Sequence, residues 1–158
     1  MTLKLKDFII ADAVIPSLTA TTRDDALREM VNALAQCGAL DPGVVNEVVQ
    51  ALIKREQAGS TGFGKGIAVP HVKHPKVKRM VGTVARSAQG IDFAALDHQP
   101  VYSLVLLLSP DTAPEQHLKA MNIVFSNLQK DMFRKFLRQA DTKQKILDLL
   151  DEADSAAK

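Results

Sequence analysis

Apolar positions in the first third of the chain recur at helical spacing. Leu27, Met30, Val31 and Leu34 form one stripe, opened by Thr22 with Asp24 and Asp25 in the first turn and closed by Gly38. Asp41-Pro42 opens a second helix, a cap followed by proline at the first helical position, with the stripe Val44, Val45, Val48, Val49 and Leu52. Before these, residues 3–9 read as a short helix, followed by an extended piece at Ala13-Val14-Ile15 that Pro16 closes. The period then changes. Met80 to Ser87 reads as a strand in which Gly82 marks a close approach, and Gln89-Gly90 is a turn. Val101 to Leu108 is continuously apolar and stops at Ser109-Pro110, as expected of a central strand covered on both faces. Pro114 starts a helix with Leu118, Met121, Val124, Phe125 and Leu128 on one face. Asp131 starts another with Met132, Phe133, Phe136 and Leu137 inward, and Thr142 caps a last one carrying Ile146, Leu149 and Leu150. From Asp151 onward apolar content is low, and the tail 151–158 is expected to fray. Alternating helices and strands with no linker or repeat predict one α/β domain over residues 1–150, with a sheet of four to five strands sandwiched between helices.

Composition narrows the function classes. The 158 residues fit one domain with a sizeable core, and 46% hydrophobic with 24% charged residues is ordinary for a globular chain. Aromatics at 4%, with no Trp, argue against a stacking platform for single-stranded nucleic acid, and a net charge of +2 supplies no nucleic-acid footprint. Cys37 is the only cysteine, so no internal disulfide can form and a reducing compartment is expected. Charges interrupt the N-terminus, and the longest apolar run is too short to cross a bilayer. A cytoplasmic protein with no membrane insertion is the expectation.

Candidate chemistry gathers between Arg55 and His71. Gly59, Gly62, Gly64 and Gly66 allow positive φ angles and close backbone approach, while Ser60 and Thr61 add hydroxyls to exposed N–H groups, the equipment of an anion-binding loop. Pro70 constrains the chain entering His71. Arg55 lies three residues beyond Leu52 and seven beyond Val48, on the buried stripe, which aims it under the glycine loop; a snorkelling arginine that complements the helix dipole is the rival reading. His117 falls in the first turn of the helix opened by Pro114, where a neutral ring is favoured and an anion is welcome; its rival reading is a partly buried histidine satisfied by backbone. Lys73, His74, Lys76, Lys78 and Arg79 form a basic run, read either as a solvated face or as a rim that attracts a phosphorylated partner. His74 and His98 have no supporting ligand set, so no metal site is expected. Gly59 to Lys65 imitates a P-loop, but Gly66 stands where the Mg²⁺-binding hydroxyl belongs, and a helix precedes the loop where a strand should.

Arg55-Glu56 followed by Ser60-Thr61-Gly62-x-Gly64-x-Gly66-x-Ala68-x-Pro70-His71 resembles the signature of the EIIA domains of the bacterial phosphotransferase system, of the fructose/mannitol type, and His117-Leu118 matches the family's second histidine. The resemblance implies a mixed sheet with helices on both sides and no cofactor. It also implies phosphoryl transfer from an HPr-like phosphocarrier to His71, with Arg55 and His117 stabilising the transferring group. The acceptor would be the imidazole nitrogen remote from the backbone. Phosphate oxygens would be held by Ser60, Thr61, Gly62, Gly64 and Gly66. The chain shows no permease or further transfer domain, which favours the regulatory nitrogen-type branch, acting on a regulated protein. A sugar-specific component donating to a separate EIIB is the alternative within the family, and a non-catalytic protein-binding module is the alternative of a different class.

Overall fold

The computed structural model describes residues 3–156. Helix α1 (Arg23–Gln36) begins where the Thr22 side chain accepts from the Asp25 N–H, a cap worth about 1 kcal/mol, and ends before Gly38 at φ +81°. Asp41 caps a short 3₁₀ turn, Pro42–Val44, that feeds α2 (Val45–Ala58). The stretch after α2 folds into β1 (Gly62–Gly64), β2 (Ile67–Ala68) and β3 (His71–His74). Two long strands follow, β4 (Val81–Ile91) and β5 (Val101–Pro110), and then α3 (Pro114–Leu128), α4 (Asp131–Gln139) and α5 (Lys143–Ala156).

The five-stranded sheet is mixed, as expected, and β5 is its centre. β4 pairs antiparallel with one edge of β5, while β2 and then β3 pair parallel with the other, and β1 folds back antiparallel on β2. The outer edge of β4 is covered by the N-terminal segment, through bridges Ile9 to Gly82 and Ile15 to Ala85. β4 runs past the anticipated turn at Gln89-Gly90 as far as Ile91, with its register interrupted between Arg86 and Ile91.

Strand alternation assigns β5 to two cores. Leu104, Leu106 and Leu108 join the layer made by α1 and α2, whereas Val105 and Leu107 join the layer made by α3, α4 and α5. Both faces are therefore buried, which is why the run carries no polar alternation.

Three expectations need correction. On α3 the inward stripe is His117, Ala120, Met121, Val124, Asn127 and Leu128, and Leu118 is exposed because it lies one residue, about 100° of helix, off that stripe. On α4 only Phe133 and Leu137 face the core, while Met132 and Phe136 are exposed for the same reason of phase. The tail does not fray at Asp151. α5 continues to Ala156, and the buried Asp154 carboxyl accepts from the Leu5 and Lys6 N–H groups at 2.7 and 3.1 Å; residues 157 and 158 lie outside the described residues. A carboxyl that closes the 3₁₀ turn Leu5–Asp7 anchors the helix end where apolar content does not.

Gly82 sits where β4 meets both β5 and the N-terminal segment. A Cβ there would stand 2.4 Å from the Leu106 carbonyl oxygen, inside contact distance of a backbone atom that the ladder holds in place. Gly82→Ala is expected to lower the unfolding free energy by about 1–3 kcal/mol, read as a reduced urea midpoint. An unchanged midpoint would show that the sheet spacing relaxes at no cost.

Candidate functional site

β2 and β3 keep one register against the same edge of β5, so the chain leaves that edge only for Val69-Pro70. The Pro70 carbonyl still accepts from the Leu107 N–H at 3.0 Å. The Val69 carbonyl turns instead to the side chain two residues on, lying 2.7 Å from Nδ1 of His71. A carbonyl oxygen can only accept, so Nδ1 carries the ring proton and Nε2 keeps its lone pair. The His71 ring is half-buried. Burial holds its pKa below the usual histidine value; the bond to Val69 opposes this, Arg55 and Lys73 lower it further, and Glu56 raises it. At neutral pH the group is therefore a neutral imidazole with a free nucleophilic nitrogen.

His117 stands beside it, the ring centroids 5.7 Å apart and the planes at 40°. Its residue is 8% exposed. The second ring is anchored at Nδ1, 2.6 Å from Oγ of Ser109 on β5. Burial first, then the charges of His71 and Lys73, push the His117 pKa down to about 4. No side chain caps the start of α3, one turn before His117, so its first N–H groups and the positive end of the helix dipole are left for another acceptor.

Arg55 lies in the last turn of α2, with Nη1 donating to the Gly59 carbonyl at 2.6 Å. It thus satisfies the helix C-terminus while its charge reaches His71. Arg55 is half-buried rather than on the buried stripe expected of it. The deepest polar side chain of α2 is the next residue, however. Glu56 is 4% exposed, because it follows Leu52 by four residues and Val49 by seven, squarely on the apolar stripe. Its carboxyl accepts from the Thr61 N–H at 3.0 Å and from the Thr61 hydroxyl, tying the start of the glycine stretch to the helix.

The glycine stretch itself is a hairpin. Lys65 and Gly66, at φ +60° and +77°, make the two-residue turn between β1 and β2, and Asp97 accepts from the Lys65 N–H at 3.0 Å. At Gly62 a Cβ would meet Ala95 at 3.0 Å, so the close approach that glycine permits here is to the 92–98 loop. The Ser60 hydroxyl donates to the Phe93 carbonyl and accepts from the Gly62 N–H, and the Thr61 hydroxyl donates to Glu56. Both hydroxyl protons are thus committed to partners within the chain.

Of the sequence-derived candidates, the structure brings His71 and His117 into contact and Arg55 within electrostatic reach. It leaves His74 at the end of β3, where Nδ1 accepts from the Lys76 N–H, and His98 exposed. In the basic run Lys76 pairs with Glu47 at 2.7 Å on the surface. Among the described residues no group of three or more His, Cys, Asp or Glu is placed to hold a metal, and no helix is long and apolar enough to cross a membrane. Three residues take parts that the sequence reading did not give them: Glu56, noted only within the signature, Lys73, noted only within the basic run, and Ser109, noted only as the end of a strand. Helical phase could have found Glu56, and strand alternation could have put Lys73 beside His71. Ser109 carried no signal beyond being a polar residue at the end of an apolar strand.

The chain matches, over residues 7–153, the family described as the phosphoenolpyruvate-dependent sugar phosphotransferase system, EIIA 2. It is 34% identical over 146 residues to a nitrogen regulatory protein of Bradyrhizobium diazoefficiens, covering 92% of this chain and 94% of that one. It is 33% identical over 131 residues to a fructose-specific EIIA component of a phosphotransferase system in Haloferax volcanii, covering 83% and 84%. Among solved structures it resembles the nitrogen regulatory protein IIA-Ntr of Neisseria meningitidis, with a TM-score of 0.81 at 24% identity and coverage of 91% and 97%, a likeness of fold.

A buried histidine whose folded pKa lies below its unfolded value binds its proton in the unfolded chain first. Stability therefore falls as pH drops from about 6.5 towards 4 and levels off below. For His117, with its pKa near 4, the full loss is up to about 3 kcal/mol. Urea unfolding at pH 7 and pH 4.5 should show the wild type losing more stability than His117→Gln. Equal losses would place the ring in a more solvated setting.

Proposed function

The chain belongs to the EIIA 2 family of the phosphoenolpyruvate-dependent sugar phosphotransferase system, whose members are phosphotransfer components, and on that premise we propose that it carries a phosphoryl group on Nε2 of His71. The observation that supports this most directly is the bond from Nδ1 to Val69, which leaves Nε2 unprotonated. An HPr-like phosphocarrier is the donor. Its N–P bond breaks with the electron pair remaining on the donor nitrogen, and the Nε2 lone pair of His71 forms the new bond. No proton has to leave His71, because its proton sits on Nδ1 throughout. Phosphoryl transfer of this kind passes through a loose transition state with charge spread over three oxygens, so the protein acts mainly by position and electrostatics. Arg55, His117 and the uncapped start of α3 supply that stabilisation, with the charge of Lys73 adding to it. The hairpin of Gly62, Gly64 and Gly66, fixed by Ser60 and Thr61, holds the rim of the site.

Within the family we favour the nitrogen-regulatory role, in which phosphorylation state governs binding to a regulated protein in the cytoplasm. The support is the relative in B. diazoefficiens, which matches along nearly its whole length. The fructose-specific relative in H. volcanii favours the second reading, donation to a separate EIIB during uptake of a fructose- or mannitol-class sugar. Sugar uptake in a deletion strain separates the two.

Incubation with enzyme I, an HPr-like protein and phosphoenolpyruvate, followed by intact-mass analysis, should show one added phosphoryl group that His71→Ala abolishes. No gain with any carrier protein would leave a protein-binding module. Arg55→Ala should slow transfer about a hundredfold while the loss of its bond to Gly59 costs about 1 kcal/mol of stability. A matched loss of stability and rate would reassign Arg55 to the fold.

A further inference from the structure

Ser109 is 1% exposed and lies on β5 opposite Lys73 of β3. By alternation its side chain belongs with Val105 and Leu107, on the face that α3 covers. Among the described residues its hydroxyl has one partner, Nδ1 of His117 at 2.6 Å. The proton in that bond has two possible owners. If Nδ1 carried it, the serine would only accept, and its own O–H would be buried without an acceptor, at a cost of about 1–3 kcal/mol. If the serine donates, both groups are satisfied. A neutral ring that accepts at Nδ1 must carry its proton at Nε2, and His117 is held neutral at pH 7 by its burial, with the charge of Lys73 acting in the same direction.

We propose that Ser109 is a positioning residue for the transfer: by donating to Nδ1 it locks His117 in the tautomer whose Nε2–H hydrogen-bonds the oxygens of a phosphoryl group on the neighbouring His71. This rests on the phosphocarrier reading above. The two rings are thereby set to opposite tautomers by their anchors. The Val69 carbonyl makes His71 protonated at Nδ1 and nucleophilic at Nε2, and the Ser109 hydroxyl makes His117 unprotonated at Nδ1 and a donor at Nε2. Without the serine, His117 would be free to take either tautomer, and the one protonated at Nδ1 would turn a lone pair on the anionic oxygens.

The test begins with the full chain, unphosphorylated at pH 7, by long-range proton–nitrogen correlation of the imidazole rings. The wild type should show His117 with an unprotonated Nδ1 and a protonated Nε2, and His71 with the reverse. A His117 protonated at Nδ1 overturns the proposal, whether or not the chain accepts phosphate. A wild type that takes up no phosphoryl group overturns the carrier reading instead, and the spectrum still decides the tautomer lock. Ser109→Ala should shift His117 towards the other tautomer and slow transfer from the donor carrier about tenfold. In a His117→Ala background the same substitution should slow transfer no further, because Ser109 acts through that ring. Equal slowing in both backgrounds would mean a structural role and would sink the proposal, as would a wild-type rate in Ser109→Ala.

Discussion

The hydrogen bond from Nδ1 of His71 to the Val69 carbonyl is the interaction on which the rest of the site depends. At the Val69-Pro70 step Val69 faces away from β5: its N–H donates to the Thr61 carbonyl, and the Thr61 N–H that a regular antiparallel pair would offer its carbonyl is taken by Glu56. Pro70 makes that step local: it has no N–H to place, and its fixed φ returns the chain to the same edge in unchanged register. One backbone irregularity thus decides which nitrogen of the ring is nucleophilic. Had the Thr61 N–H completed the pair with Val69, that carbonyl would have had a sheet partner, and the ring would have lost its claim on it.

Charge around this atom follows from burial on one side and cations on the other. Desolvation keeps both rings neutral, and Arg55 and Lys73 act in the same direction on His71. The same cations would favour the anionic phosphoryl group of the proposed function. A site that disfavours imidazolium and welcomes a dianion suits a nitrogen nucleophile that must be neutral before transfer and must bear negative oxygens after it. Glu56 opposes this charge pattern, and its geometry explains its presence: both carboxyl oxygens face Thr61, so it holds the hairpin that borders the site.

Much of the architecture could be read from the pattern of residues. The helix that starts at Thr22, the helix that Asp41-Pro42 leads into through a 3₁₀ turn, the central strand at Val101, and the helices after Pro114 and Thr142 stand where their caps and periodicity placed them. Local rules worked because the information in them is local. Facing was less legible at α3 and α4, where apolar residues occupy more of the circumference than one core can cover, so Leu118, Met132 and Phe136 remain outside. The helix through Asp154 was missed because what anchors it is a pair of bonds to residues at the other end of the chain.

The sequence by itself singled out the candidate residues: a histidine after proline, a second histidine at a helix start and an arginine at a helix end can be recognised without coordinates. Tertiary structure alone decided their protonation. Which nitrogen of each ring is free depends on Val69 and on Ser109, one a backbone atom and the other a serine eight residues away on a different element. The use of Gly62 and Gly64 was likewise settled by packing, since their neighbours Ala95 and Asp97 lie far along the chain. Hydrogen-bond partners across elements are set by how layers stack, and no period or spacing within a segment encodes that.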